Sequence, residues 1–172
     1  FLIGYMYSGK TVVAHKLSRC LGYEYLDLDQ FFEATLRTSI PLFFQRYGEE
    51  AFRKLEQKML HDLPNEKDLV IATGGGTPCH FDNMDYINAH GTSIYLKASP
   101  ELIIRRALGS KKTRPILKGK SPDELDTFVR QQMALREPYY AQAHLTFPAD
   151  APGLIPAILS ALSEKSLLPQ AD

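Results

Sequence analysis

The sequence lacks the features that mark several other classes of protein. It has only two cysteines, Cys20 and Cys79, which are too few for a disulfide framework and whose spacing fits no zinc site. Neither sign of charge dominates, because 20 Lys and Arg balance 20 Asp and Glu, so nothing in the totals points to a nucleic-acid partner. No apolar run approaches the roughly 18 residues of a membrane helix, and no signal peptide is visible. We therefore expect a cytoplasmic protein, in a reducing compartment, that binds neither nucleic acid nor membrane.

The size and apolar content suit one compact domain over residues 1–172. This length lies within the roughly 100–200 residues of a usual domain, and 44% of the residues are hydrophobic, enough for a core. The chain begins at Phe1 without an initiator Met, so we expect some N-terminal residues to be missing.

Strand and helix patterns alternate along the chain, which is typical of an α/β domain with a parallel sheet. Apolar runs predict strands at residues 1–3, 25–28, 69–72, 92–96 and 145–147. Helical spacing predicts helices at residues 11–21, about 30–63 with an interruption near Pro41, 83–89, 101–108, about 123–137 and about 154–163. Ser99 and Pro100 mark the start of the fourth of these helices, as its N-cap and its first helical residue.

A phosphate-binding loop is the most informative pattern. It meets every fixed position of G-x-x-x-x-G-K-[ST] and lies between a predicted strand and a predicted helix, which makes a chance glycine-rich turn a poor alternative. In that context, backbone N–H groups and the helix N-terminus can surround a nucleotide's phosphates, Lys10 can reach the β- and γ-phosphates, and Thr11 can bind Mg²⁺. The loop consists of Gly4, Tyr5, Met6, Tyr7, Ser8, Gly9, Lys10 and Thr11.

Two carboxylates, Asp27 and Asp29, close the second predicted strand. At positions i and i+2 they would point to the same sheet face, at the carboxyl edge where open parallel sheets bind ligands. One could hold Mg²⁺ through water, and the other could accept a proton or hydrogen bond from a substrate hydroxyl. Alternatively, Asp29 simply caps the helix that follows.

Two further patterns are ambiguous when taken alone. Arg53 and Glu56 are i, i+3 neighbours in a helical pattern, and such pairs are routine on surface helices. Gly74, Gly75 and Gly76 follow the third predicted strand. Three glycines allow backbone conformations closed to other residues and let a ligand lie against the main chain, whereas a tight turn needs only one or two.

Two arginines are placed to close on anions, although most lone arginines are simply solvated. Arg114 lies in residues 109–122, a basic segment without a hydrophobic period that has the composition of a mobile loop within the domain. Arg136 ends a predicted helix just before Pro138, which we expect to fix the end of that helix.

Together these residues resemble the shikimate kinase family, from residue 1 to about 150. The combination of Asp-x-Asp, Phe-Arg-x-x-Glu and triple glycine is far more specific than a phosphate loop, which alone indicates only NTP binding. The resemblance implies a nucleoside-monophosphate-kinase-like α/β fold in three layers, with a five-stranded parallel sheet flanked by helices, a mobile lid at about 109–122 and a monomeric state. The residues that carry it are Gly4 and Met6, Leu26-Asp27-Leu28-Asp29, Phe52-Arg53 with Glu56, Gly74-Gly75-Gly76, Arg114-Pro115-Ile116-Leu117 and Arg136-Glu137-Pro138-Tyr139-Tyr140.

The resemblance also implies a reaction, the transfer of the γ-phosphate of ATP to the 3-hydroxyl of shikimate in aromatic amino-acid biosynthesis. Arg53 and Arg136 would grip the shikimate carboxylate, with Glu56 orienting Arg53. Arg53 and Glu56 lie in a helical segment at about 30–63 that would bind shikimate. Asp29 and the backbone of residues 74–76 would hold the hydroxyls.

On the nucleotide side, the resemblance implies that Lys10, Arg114 and Mg²⁺ neutralise charge on the transferred phosphoryl group. Thr11 would hold the metal directly and Asp27 through water. Arg106 is a candidate to stack on adenine.

Tyr7 departs from the family pattern, which usually has glycine there. If the position requires a positive φ, a bulky residue strains the loop by roughly 1–3 kcal/mol. We still expect ATP binding, because the general loop pattern leaves this position free. Two other functions stay open: another small-molecule kinase on the same scaffold, such as a gluconate kinase, and a degenerate ATP-binding module that is not an enzyme.

Overall fold

A parallel sheet forms the centre of the molecule. The computed structural model describes residues 1–64, 68–110 and 121–164. In these ranges five strands pair in the order β2-β3-β1-β4-β5, all parallel. The predicted sheet is thus confirmed, and each strand begins and ends within two residues of its expected position. The strands are β1 (Leu2–Ile3), β2 (Glu24–Asp27), β3 (Leu69–Ala72), β4 (Ile94–Lys97) and β5 (Leu145–Pro148).

Helices connect the strands, and a search of the described ranges finds no membrane-spanning helix. A short 3₁₀ turn, Thr77–Cys79, follows β3. The α-helices are α1 (Lys10–Leu21), α2 (Leu28–Leu36), α3 (Ile40–His61), α4 (Asn83–Ala89), α5 (Pro100–Leu108), α6 (Pro122–Tyr140) and α7 (Leu154–Glu164).

Serine caps fix where α5 and α6 begin. The Ser99 hydroxyl accepts a hydrogen bond from the Leu102 amide, and Pro100 is the first helical residue, as predicted. At α6, Ser121 and Glu124 exchange side-chain and backbone hydrogen bonds in a capping box. Such reciprocal bonds satisfy amides that have no partner within the helix.

The break in the helical segment at 30–63 comes before Pro41. The left-handed residue Arg37 (φ 51) ends α2, and Ser39 caps α3 through the Leu42 amide. A second irregularity lies inside α3 at Gly48 (φ 80, ψ 171), which the sequence analysis did not foresee.

The predicted end of α6 before Pro138 is wrong. The helix continues through Pro138 to Tyr140, although an interior proline costs about 3 kcal/mol because it removes an amide donor and crowds the preceding turn. The next turn is held by tertiary contacts: Tyr140 is 1% exposed, and its hydroxyl donates to the carbonyl of Gly75. Burial of this side chain therefore outweighs the local preference of the proline.

Two apolar clusters hold these elements together. The main cluster lies around the sheet and includes residues of β1, β3 and β4 that are buried almost completely, such as Ile3, Ile71 and Leu96. A second cluster joins α2 to α3 through three buried residues, Phe32, Phe52 and Met59, packed against further apolar side chains of α3.

Candidate active site

The site lies at the carboxyl edge of the sheet, where the segments after three strands meet. Because β1 lies beside β3, and β3 beside β2, the residues that follow these strands are neighbours. The phosphate loop follows β1, Asp27 ends β2 with Asp29 just beyond it, and the glycines follow β3. The helices α3 and α6 contribute the arginines.

The phosphate loop adopts a tight turn that ends at the first residue of α1. Gly4 (φ 138) and Gly9 (φ 102) lie in conformations that favour glycine, and a methyl group at Gly4 would lie only 2.8 Å from the Leu96 carbonyl oxygen. Lys10 is buried, and its Nζ donates to the carbonyls of Gly4 at 2.8 Å and Tyr5 at 3.0 Å. The loop thus folds around its own lysine.

Tyr7 has the positive φ considered in the sequence analysis. Its φ is 62°, a left-handed conformation that costs a non-glycine residue roughly 1–2 kcal/mol. Arg106 of α5 contacts this part of the loop, with Nη1 donating to the carbonyls of Tyr7 at 3.0 Å and Ser8 at 2.8 Å. Its expected stacking on adenine stays a prediction.

Asp27 links the phosphate loop to β2 and caps α2. One oxygen, Oδ2, accepts from the Thr11 hydroxyl at 2.9 Å and the Tyr25 hydroxyl at 3.4 Å, while Oδ1 accepts from the Gln30 amide at 3.2 Å. Burial, together with the Asp27 charge and hydrogen bond, raises the pKa of Tyr25 to about 12. The Tyr25 phenol therefore stays protonated as a donor to Asp27.

The expectation that Asp29 closes β2 or caps the next helix is wrong. The strand ends at Asp27, which is itself the N-cap, and Asp29 lies in the first turn of α2. An Asp-x-Asp pattern fits both arrangements, because either aspartate can serve as the cap. Asp29 nevertheless reaches the glycine run, since a methyl group at Gly74 would lie 2.7 Å from its Oδ1.

Arg53 and Glu56 form a buried pair, so the alternative of an ordinary surface pair is wrong. Arg53 Nη1 donates to Glu56 Oε2 at 2.8 Å, and the side chains are only 13% and 3% exposed. The Thr77 hydroxyl donates to the other oxygen, Oε1, at 2.6 Å. Burial raises the pKa of Glu56, although Arg53 and the Thr77 hydrogen bond oppose that rise. Arg53 also contacts Glu49 at 3.2 Å.

The three glycines leave space for the surrounding side chains. None of them has a positive φ, so these glycines are not needed for a backbone conformation that other residues avoid. A methyl group at Gly76 would lie 2.6 Å from Nη2 of Arg53, and one at Gly75 would lie 3.1 Å from the Met6 amide nitrogen and 3.6 Å from Nη1 of Arg136. The run is therefore the meeting point of the phosphate loop and both arginines.

Arg136 approaches the glycines from α6. Its guanidinium carbon lies 5.2 Å from the centre of the Tyr5 ring, and Nη2 donates to the Gln132 side chain at 3.3 Å. Arg53 and Arg136 thus converge on one short segment from helices far apart in sequence. Arg114, in contrast, lies outside the described residues, as does most of the expected lid.

Two residues near these arginines were not singled out from the sequence. Cys79 and His80 follow the glycines, and burial raises the pKa of Cys79 to about 11, against the opposing charges of Arg136 and Arg53. Burial, followed by the charge of Arg53, lowers the pKa of His80. A single cysteine or histidine carries no spacing pattern, so only the fold reveals their position.

Comparison with known proteins shows the family. A family model described as shikimate kinase matches residues 6–153. The shikimate kinase of Parabacteroides distasonis is 44% identical over 150 residues, which cover 87% of each chain. That of Phocaeicola vulgatus is 41% identical over 150 residues, covering 87% of this chain and 86% of the relative.

Solved structures agree with this relationship. A shikimate kinase from Bacteroides thetaiotaomicron has a TM-score of 0.88 at 37% identity, covering 98% of this chain and 97% of the other. One from Acinetobacter baumannii, in complex with shikimate, has a TM-score of 0.87 at 33% identity, covering 96% and 93%. A gluconokinase from Sinorhizobium meliloti, covering 95% and 90%, has a TM-score of 0.63 at 11% identity, which shows a common fold alone. The chain belongs to the shikimate kinase family and is an ATP-dependent kinase that phosphorylates shikimate.

Proposed function

We propose that the site described above transfers the γ-phosphate of ATP to the 3-hydroxyl of shikimate, giving shikimate 3-phosphate and ADP. The observation that carries the proposal is the set of neighbours of the glycine run. Gly75 faces the phosphate loop and Arg136, Gly76 faces Arg53, and Gly74 faces Asp29 and Glu56. A phosphate donor in the loop and a carboxylate-bearing acceptor between the arginines would therefore lie side by side.

On the nucleotide side, Lys10 is the main cation of the loop. Its Nζ is bonded to two loop carbonyls in this structure, and we infer that it turns to the β- and γ-phosphates when ATP binds. A fixed positive charge there stabilises negative charge that builds up as the phosphoryl group is transferred. Arg114 is proposed to add a second charge from the lid at 109–122.

Thr11 and Asp27 fit a magnesium ion. A hydroxyl and a carboxylate oxygen lie 2.9 Å apart beside the loop, and hard oxygens are the ligands that Mg²⁺ prefers. No cluster of three or more His, Cys, Asp and Glu suited to a metal occurs among the described residues, which agrees with an ion held chiefly by phosphates and water. When bound, Mg²⁺ neutralises phosphate charge.

On the acceptor side, Arg53 and Arg136 are proposed to bind the shikimate carboxylate. Guanidinium groups pair with carboxylates through strong charge-assisted hydrogen bonds. Glu56 is bonded to both Arg53 and Thr77, so it limits the orientations open to Arg53. The backbone of residues 74–76 and the Asp29 carboxylate would hold the ring hydroxyls, with Asp29 orienting the 3-hydroxyl or accepting its proton.

The protein is proposed to act as a cytoplasmic monomer with a single domain. A coupled assay of ADP release, with shikimate, with gluconate and without acceptor, tests the reaction. We expect ADP release with shikimate, but not with gluconate or without an acceptor. A phosphorus–proton correlation in the product should assign the phosphate to the 3-oxygen. Equal rates with gluconate, or release that does not depend on an acceptor, would contradict the proposal.

A further inference from the structure

We propose that Arg106 is a positioning residue that holds the phosphate loop in its binding conformation by hydrogen bonds to the Tyr7 and Ser8 carbonyls. The inference rests on the proposed role of the loop in ATP binding and concerns a contact that Arg106 makes with the protein itself. It is therefore separate from any contact between Arg106 and adenine.

The geometry of this contact is specific. A single nitrogen, Nη1, lies 3.0 Å from the Tyr7 oxygen and 2.8 Å from the Ser8 oxygen, and a methyl group at Gly9 would lie 3.5 Å from the same nitrogen. Arg106 lies near the end of α5, which Ser99 caps at its other end. The guanidinium therefore reaches the loop from a separate helix, which is not part of the loop.

The contact lies at the strained residue of the loop. Tyr7 is the loop's non-glycine residue with a positive φ, a conformation that persists in L-residues only when the surroundings enforce it. The carbonyls of Gly4 and Tyr5, in the first half of the loop, are bonded to Lys10. If Lys10 turns to the phosphates, the bonds from Arg106 to the Tyr7 and Ser8 carbonyls can persist.

The same contact should make backbone N–H groups of the loop stronger hydrogen-bond donors to phosphate. The Tyr7 carbonyl belongs to the same peptide group as the Ser8 amide, and the Ser8 carbonyl to the same group as the Gly9 amide. A cation at a carbonyl oxygen polarises the peptide group, so that its N–H becomes a stronger donor. Both amides lie within the motif whose N–H groups surround phosphates; in this structure the Ser8 amide donates to the Tyr5 carbonyl at 3.2 Å, so the effect should fall first on the Gly9 amide.

Binding of tripolyphosphate, a ligand without adenine, separates this role from stacking. Calorimetry with Mg²⁺-tripolyphosphate and with Mg²⁺-ATP should show roughly tenfold weaker binding of both to Arg106→Ala, the effect of losing charge-assisted hydrogen bonds. The neighbouring Arg105→Ala, at an exposed position, is the matched control and should bind both normally. Loss of ATP affinity with unchanged tripolyphosphate affinity would show an adenine contact and overturn the proposal.

A double-mutant cycle with Tyr7→Gly tests whether Arg106 acts through the loop. Glycine adopts a positive φ without strain, so Arg106→Ala should weaken tripolyphosphate binding by less than about threefold in the Tyr7→Gly protein. Equal losses in both backgrounds would indicate a direct attraction to phosphate and would overturn the proposal. If Arg106→Ala does not fold, Arg106→Gln replaces it, since this variant keeps an N–H donor without the charge. Its affinity for tripolyphosphate should be about three- to tenfold lower than that of the unchanged protein. Normal affinity of Arg106→Gln would contradict the proposal.

The outcomes also distinguish this inference from the proposed function. If the unchanged protein does not bind tripolyphosphate, the inference about Arg106 fails. If it binds tripolyphosphate but does not phosphorylate shikimate, the proposed function alone fails.

Discussion

Each glycine at positions 74–76 faces different polar atoms, and this makes the run sensitive to a single added methyl group. Gly76 is the most crowded of the three, since three atoms of the Arg53 guanidinium lie within 3 Å of where a Cβ would be. The guanidinium cannot keep its position if that atom is added.

We expect Gly76→Ala to weaken shikimate binding while ATP binding persists. Displacing Arg53 by an ångström or more should raise the KM for shikimate roughly tenfold or more, with little change in the KM for ATP. Steady-state kinetics measure both. Gly91→Ala, whose added methyl group would approach only the Phe1 ring, is the control, and a normal KM for shikimate in Gly76→Ala would contradict the assigned position of Arg53.

We expect Asp29→Asn to lose turnover by about 10²-fold, the usual effect of removing a general base. Because Asp27 is the cap of α2, helix capping no longer offers an alternative explanation for such a loss. Asp85, an exposed aspartate in the first turn of α4, gives the matched control Asp85→Asn. Near-normal turnover of Asp29→Asn would remove Asp29 from the chemistry.

At the scale of elements, α6 is tied to the site through its last turn. Tyr140 donates to the Gly75 carbonyl at 2.5 Å, and burial raises the pKa of its phenol, so the donor stays protonated. One turn earlier, Glu137 accepts from Tyr95 and Lys97 of β4 at 2.7 and 2.6 Å. These bonds fix the segment that presents Arg136.

We expect Tyr140→Phe to destabilise the protein by about 1–2 kcal/mol, since the Gly75 carbonyl loses its partner, and also to raise the KM for shikimate. Urea unfolding and kinetics measure the two effects. Tyr139→Phe is the control, because this neighbouring side chain is 38% exposed. Equal stability of the two variants would mean that the bond to Gly75 contributes nothing.

The sequence predicted the elements well and the local exceptions poorly. Strand positions follow from apolar runs, and the helix start at Ser99 follows from capping chemistry, because both depend on nearby residues. The continuation of α6 past Pro138 depends on burial of Tyr140 against residues 65 positions away, which no local pattern contains.

The residues proposed from the sequence as a site are brought together in the described part of the chain, but their geometry was not predicted. Motif spacing singled out Lys10 and Asp29, whereas Arg53 and Arg136 were given roles only by the family resemblance. The sequence did not show which aspartate caps α2. It also did not show that the three glycines are needed because neighbouring atoms leave no room for a Cβ. Both features depend on contacts with other elements. Thr77, bonded to Glu56, was missed because a lone threonine has no signature.

At the scale of the whole molecule, acceptor binding should join α3 to α6 across the end of β3. With shikimate at about 100 times its Kd, we expect stabilisation of about 2.7 kcal/mol and a rise in Tm of roughly 5–10 °C. Thermal melting of Arg53→Ala at the same concentration should show a much smaller rise. The exposed Arg46 of the same helix provides the control Arg46→Ala, and an undiminished rise in Arg53→Ala would argue against its contact with the acceptor.

The cluster of Phe32, Phe52 and Met59 packs α2 against α3, the helices that carry Asp29, Arg53 and Glu56. The same two helices also reach the main apolar cluster around the sheet, through Leu28 of α2 and Leu60 of α3. Because Tyr5 and Met6 of the phosphate loop belong to the main cluster alone, we expect a substitution at Phe32, Phe52 or Met59 to displace α2 and α3 more than the phosphate loop.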